Sequence, residues 1–355
     1  MRSTSPNIKQ PARRLLAWAM LGLVAAVSGC YKELLPEEQD HFSKDMNYTV
    51  ESFLPNLGKT NVFINVFNAD FSTQPLDFSI ENPRYGDKSP ANFLLDSVDT
   101  RQWKTWYAGN EASIQEIENK MYTIKRPILD IRPNSGEIIF WNVDSNKVRY
   151  GKYYFDVRVK NKAGERVFSG LLLDVRRPRP YEPYIYDDAT GLQKGLTAGG
   201  IVKPTGVVNF MDELLRPIPK DSVDVYFVKE GTAKNSISFK FYNKDSAIIP
   251  LTKFNFQQWD SLFYFSKMAG SRVRFGFNRQ MNADSTKVTF DITNPFPVLS
   301  QVSGGLDVAS IAFNFTRISF GRRISGGLGL DFSINEPGEW TAIVKFRVTP
   351  KFSDD

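Results

Sequence analysis

Cysteine and histidine are almost missing: the 355 residues hold one of each, Cys30 and His41. A single thiol excludes an internal disulfide, a redox pair and a thiolate zinc site. Ser-His-Asp and Cys-His catalysis need an imidazole set against its nucleophile by a folded scaffold. His41 instead lies in a polar stretch ahead of the first strand signals, so those enzyme classes are not expected. Long apolar runs are missing too. The longest, Leu15–Gly29, has about fifteen residues, and a helix that crosses a bilayer needs roughly twenty. Helical heptads are absent. A basic stripe is absent as well: the formal charge is +6, but Arg2, Lys9, Arg13 and Arg14 precede Cys30 with no acid beside them, and without those four the 45 bases become 41 against 39 acids. The cluster Val175–Pro180, VRRPRP, is short and proline-bound, so no nucleic-acid partner is expected.

Other catalytic signals fail on the same inspection. Glycoside hydrolysis needs only two flanking carboxylates, yet none of the 39 acids stands in a recognisable motif. Asp187-Asp188 and Asp96/Asp99 read as turn and solvated-face residues. The glycines of ISGGLGLDF are followed by a strand, whereas a phosphate loop opens a helix, so they read as hairpin glycines. The expectation is a protein that is not an enzyme, with no cofactor and no metal.

What is present begins at the N-terminus. Arg13-Arg14, the apolar run and Val27-Ser28-Gly29-Cys30 have the charged, apolar and small-residue regions of a secretory signal. The end resembles the bacterial lipobox, in which a small residue precedes a cysteine that is acylated after cleavage. That resemblance implies a signal peptide over 1–29, lipidation (palmitate among the acyl chains) at Cys30, and a membrane partner held through the lipid. Each buried methylene of such a chain contributes about 0.8 kcal/mol, and two or more chains anchor stably. Lys32-Glu33, followed by Glu37, Glu38 and Asp40, resembles the surface-export signal of Bacteroidota lipoproteins, which implies the outer membrane and its cell-surface side. A solvated tether has the same composition, which leaves the periplasmic face as the alternative.

The 326 residues after Gly29 suffice for two domains. Alternation of period two marks strands throughout. In Lys152–Asn161, Tyr153, Phe155, Val157 and Val159 fall on one face, and Ala163-Gly164 turns the chain into RVFSGLLLDV, a hairpin. Downstream, SVDVYFV, SISFKFY, SRVRFGFN, TKVTFDI, IAFNFTRISF, LGLDFSI and WTAIVKFRV alternate likewise. In the last, Ala342, Val344, Phe346 and Val348 are expected inside, with Thr341, Lys345 and Arg347 facing water. Short helices are expected over SIQEIENKM and, from the spacing of Phe256, Trp259 and Phe263, over FNFQQWDSLFYF. Arg176–Gly200 is rich in Pro, Gly and Tyr and marks a break. The predicted fold is all-β: two antiparallel β-sandwich domains after a signal peptide (1–29) and an acidic tether (30–45). The first spans 46–178 with an insertion at 85–126, a linker follows at 179–200, and the second spans 201–351.

Aromatic residues carry the binding candidates. A ring face packs on the C–H side of a sugar while Arg, Asn or Gln meet its hydroxyls, and the same amphipathic rings favour interfaces. Trp103, Trp106 and Tyr107, beside Arg101, Gln102 and Asn110, have that composition; the other reading is that one ring caps the sandwich core. Trp141 and Trp340 follow strand alternation and are expected in the core or at a sheet edge. Tyr181, Tyr184 and Tyr186 are expected to join the domains.

A family resemblance covers roughly residues 46–178. Pro133, Gly136 and Ile138, then Gly151, Tyr153, Phe155, Val157, Val159, Asn161 and Gly164, resemble the P-x-x-G-x-I turn and G-x-Y-x-F-x-V-x-V-x-N-x-x-G hairpin of cadherin-like and immunoglobulin-like modules of bacterial surface proteins. Calcium is not implied, because Asn161 stands where an acid would help. The Asp-Ser pairs ending at Ser97, Ser222, Ser246, Ser261 and Ser285 resemble the O-glycosylation acceptor of exported Bacteroidota proteins. The whole chain resembles outer-membrane lipoproteins of that phylum associated with Sus-like (starch-utilisation-system-like) glycan uptake. What that implies is a non-enzymatic surface protein that captures polysaccharide or oligosaccharide or assists the transporter complex, with a structural or adhesive role toward protein partners as the alternative and a carbohydrate-active enzyme a more remote one.

Overall fold

The computed structural model describes residues 40–105, 107–257, 259, 263–266, 271–298 and 308–353. Cys30, the segment 1–29, Trp106 and Ser261 lie outside them. Strands dominate, and their buried apolar residues form two separate clusters.

The first cluster lies between a four-stranded sheet, in the order Ser52–Phe53, Glu165–Val175, Gly151–Lys160, Asp77–Tyr85, and a three-stranded sheet of Asn61–Phe63, Ile138–Phe140 and Leu129–Ile131. Alternation predicts its interior: Tyr153, Phe155, Val157 and Val159 are all buried. One local feature belongs to the immunoglobulin-type sandwich, and a second is a steric requirement for glycine. Tyr153 Oη donates to the Arg149 carbonyl at 2.9 Å, a tyrosine corner. Gly136 takes φ +69, and a Cβ there would stand 2.5 Å from Phe78 Cε1, so only glycine fits the turn before Ile138. The predicted Asn161–Gly164 turn forms, with the Asn161 side-chain oxygen accepting from Ala163 N and Gly164 N.

Residues assigned to the tether are in part docked. His41 is exposed, but its N–H donates to Thr73 Oγ1 at 2.7 Å and its carbonyl accepts from Asn161 Nδ2 and Thr73 N. Ser43 and Met46 are buried. Local hydrogen-bonding partners explain the difference, since a polar segment needs no apolar face when loops supply donors and acceptors to its backbone.

The second cluster lies between two further sheets. One has five strands, in the order Val223–Gly231, Glu339–Phe346, Ser236–Tyr242, Val288–Asp291, Phe277–Met281. It is antiparallel except where Ser236–Tyr242 runs parallel to Glu339–Phe346; Leu172–Leu173 on Ser52–Phe53 is a second parallel pairing, in the first sandwich. Opposite stands a long hairpin, Ala309–Ser319 with Arg322–Ile334, whose free edge takes Gly206–Val208 and Tyr181–Glu182. Phenylalanines fill the interior: Phe239 meets Phe313 at 5.1 Å between centroids, and Phe210 meets Phe315 at 4.5 Å.

Four expectations change here. Thr341 is fully buried, not water-facing, on a central strand between Val228 and Ser238. No α-helix spans 254–265 among the described residues. Phe256 is exposed, Trp259 packs between Phe254 and Phe313, and Phe263 begins a strand, Phe263–Ser266, paired with Ser271–Arg274, so the i, i+3, i+7 spacing of the rings arises without a common helix face. The glycines 326, 327 and 329 sit inside a strand, away from its turn, where they admit close neighbours: a Cβ on Gly326 would stand 2.5 Å from the Phe315 ring. Tyr181, read as linker, is a buried part of the second cluster.

Candidate functional site

The insertion at 85–126 builds the site. Ser97–Trp103 and Met121–Pro127 pair as an antiparallel hairpin, and the expected short helix forms at Ile114–Asn119. Ser113 caps it by accepting from Glu116 N, while Glu116 reaches back to accept from Ala112 N, the residue before the cap. The far end of this hairpin joins the second sandwich. Tyr107 and Ile117 are buried with that cluster, and Arg274 N donates to the Gly109 carbonyl at 3.1 Å.

Tyr107 is therefore a core residue at 4% exposure, and its ring is not a free stacking face. It supports Trp103 instead, with centroids 5.4 Å apart. Trp103 remains half-buried and lines a groove of about 410 Å³ with Arg101, Gln102 and Met121. Further lining comes from the first sandwich, with Trp141, Ile139, Asp130 and Arg132. Asn110 is exposed and does not line this groove.

The polar groups are held in place. Trp141 Nε1 donates to Asp130 Oδ2 at 3.1 Å, Tyr122 Oη donates to Gln102 Oε1 at 3.0 Å, and Arg132 pairs with Glu137. Arg101 pairs with Glu118 of the short helix. Arg126 also lines the groove, and its buried Nε has no hydrogen-bond partner among the described residues. Two indoles, a thioether and guanidinium, amide and carboxylate groups share one concavity, the mixture of apolar faces and few oriented polar groups found in small-ligand sites. Sequence reading found Trp103, Arg101 and Gln102 because a tryptophan in a polar stretch is conspicuous. It missed Trp141, Arg126, Asp130 and Arg132, whose strand setting carries no signal of a groove.

A second groove, of about 580 Å³, runs along Tyr181, Tyr184, Tyr186 and Tyr226 with Val228 and Trp340. Its lining is mostly apolar. Burial, reinforced by Tyr184 and Tyr186, pushes the Tyr181 phenol up to about 12. The segment carrying these tyrosines is fixed to both sandwiches: on the first, Lys59 pairs with Glu182 and Asn56 Nδ2 donates to Asp188 Oδ2 at 2.6 Å, and on the second, Asn335 N donates to the Pro180 carbonyl.

The serines of the Asp-Ser pairs are exposed or half-exposed at 97, 222, 246 and 285. Two of the pairs have a turn role. Ser246 and Ser285 take φ +59 and +54 in loops where Asn243 and Asn282 accept from the backbone amides ahead of them.

A family described as a domain of unknown function (DUF5007) matches residues 67–355. No curated protein matches the chain. Among solved structures, domain 1 of VCBP3 from Branchiostoma floridae is similar at 15% identity and a TM-score of 0.19, over 37% of this chain and 93% of that one. The two tandem V-type regions of VCBP3, a v-region-containing chitin binding protein, are similar at 9% identity and a TM-score of 0.19, over 81% and 97%. At such scores the likeness carries neither fold detail nor ligand across; the sandwiches stand on their own strands.

Proposed function

The chain belongs to the DUF5007 family, and we propose that it is a non-enzymatic, lipid-anchored protein of the outer membrane's cell-surface side that captures a polysaccharide or oligosaccharide in the Trp103–Trp141 groove for an outer-membrane uptake complex of the Sus-like kind. The observation that carries the ligand class is the groove itself. Trp103, half-buried, offers a face for the C–H side of a pyranose, the buried Trp141 lines the same groove, and Arg101, Arg126, Gln102, Asp130 and Arg132 offer donors and acceptors for hydroxyls. The anchor rests on the signal ending at Cys30. Docking of residues 41–46 on the first sandwich leaves ten residues between Cys30 and His41, which reach at most about 35 Å when extended. The entering chain meets the sheet where Lys160 pairs with Glu165, and the chain to the second sandwich leaves where Gly151 pairs with Val175. A ten-residue strand separates those ends, roughly 33 Å, so the first sandwich acts as a spacer.

Affinity electrophoresis over a panel of polysaccharides tests this. Retardation by at least one glycan, with no product released from it, is expected. Product release makes the protein an enzyme. No retardation by any glycan, with a partner protein recovered from membranes, supports the adhesive reading, which the mostly apolar groove at Tyr184, Tyr186 and Tyr226 favours.

A further inference from the structure

The long hairpin of the second sandwich ends in a turn that runs against two preferences at once. Ser319 pairs with Arg322, leaving Phe320 and Gly321 as a two-residue loop with φ +49 and +72. Both central residues at positive φ define the type I′ geometry, which favours Asn, Asp or Gly at its first position. A phenylalanine there is sterically costly, and this one is 96% exposed, so its apolar surface is left in water as well. Ile318, two residues earlier, is 65% exposed. Asn255 holds the same strand edge by accepting from Thr316 N at 2.7 Å and donating to its carbonyl, and the next residue, Phe256, is exposed. The opposite face of the strand is buried as far as Ser319, so the sandwich backs the hairpin and only its apex and outer edge meet solvent.

The charge carried by the hairpin's own turn and adjoining strand residues has one sign. Arg322 and Arg323 follow Gly321, both exposed, and neither has an ion-pair partner among the described residues. No acid occurs in the sequence between Asp307 and Asp331. We propose that this apex is a membrane-docking tip: Phe320, Ile318 and Phe256 enter the interfacial layer of a lipid bilayer while Arg322 and Arg323 bind anionic headgroups. The shape favours lipid over protein. A specific protein partner needs a complementary patch of about 800 Å² on each side, whereas a convex two-residue apex presents little area and suits insertion between headgroups. Apolar residues beside arginines are the combination that binds anionic interfaces, with guanidinium groups that stay at headgroup level as the rings go deeper. The proposal does not rest on the glycan groove, and it gives the protein a second membrane contact far along the chain from Cys30.

The test uses the full chain in vesicles of phosphatidylcholine with or without phosphatidylglycerol. Phe320→Cys and, as a control, Leu192→Cys, which replaces another exposed apolar residue, each carry an environment-sensitive fluorophore. In phosphatidylglycerol vesicles the label at 320 is expected to shift to the blue and to be quenched by brominated lipid, while the label at 192 stays aqueous. High salt and the Arg322→Glu/Arg323→Glu pair should each abolish the shift. Equal, water-like emission at both positions overturns the proposal. So does a shift at 320 that appears in native membranes but not in pure lipid, which assigns the apex to a protein partner.

Discussion

The indole Nε1 of Trp141 donates to Asp130 Oδ2 at 3.1 Å across the strand pair Leu129–Ile131 and Ile138–Phe140. One bond thus fixes an aromatic wall and the acid beside it. Trp141 is 8% exposed, so Trp141→Ala should cost about 3–5 kcal/mol of stability. Asp130→Ala leaves the indole N–H without its acceptor and should cost about 1–3 kcal/mol, with a loss of glycan retention larger than unfolding explains. Urea denaturation and affinity electrophoresis on the same variants separate the two effects.

Gly136 and Gly170 have similar positive φ, +69 and +79, but different neighbours. A Cβ on Gly136 would meet the Phe78 ring at 2.5 Å, while nothing lies within 4 Å of one on Gly170. Gly170→Ala should therefore cost only the left-handed backbone penalty, roughly 1–2 kcal/mol. Gly136→Ala should cost more, because the buried Phe78 must move. Chemical denaturation of the two variants gives the order; equal losses would remove the steric explanation of the P-x-x-G-x-I turn.

Stability should fall in acid. Burial pushes the Glu230 carboxyl up, but hydrogen bonds from Lys287 and Lys240 outweigh it and hold the group down at about 2. Asp156 and Asp224 are lowered in the same way: burial opposes, and Arg84 with Gly170 N, or Arg347 with Lys203, prevails. A carboxylate depressed in the fold contributes fully above its unfolded pKa and loses that contribution as pH falls through the folded value. The window runs from about pH 5 down to about pH 2. Urea midpoints should drop across it, and Glu230→Gln should make the drop smaller.

Cys30→Ala should shift the protein out of the membrane fraction of its native cells and remove palmitate label. Retention of both would contradict the anchor.

Alternation made the sheets legible, because a half-buried strand must place every second side chain inside. Tyr153–Val159 and Ala342–Phe346 follow that rule. It failed at Thr341, which is buried on a central strand although Val228 beside it is exposed, and at Phe256–Phe263, where ring spacing imitated a helix. Half the groove was legible, in Trp103 and its polar neighbours. The other half was not, because Asp130, Arg132 and Trp141 join Trp103 only through the docking of the 97–127 hairpin between two sandwiches, a long-range arrangement that no local pattern encodes.

The central claim is that Trp103 faces a bound sugar in the groove that Trp141 also lines. Calorimetric titration of the wild-type chain and of Trp103→Ala with the glycan that retards the protein tests it directly. Trp103 is only half-buried, so the variant should fold, and its affinity should fall by about tenfold or more. Unchanged affinity in a folded Trp103→Ala protein would contradict the account and move the site elsewhere.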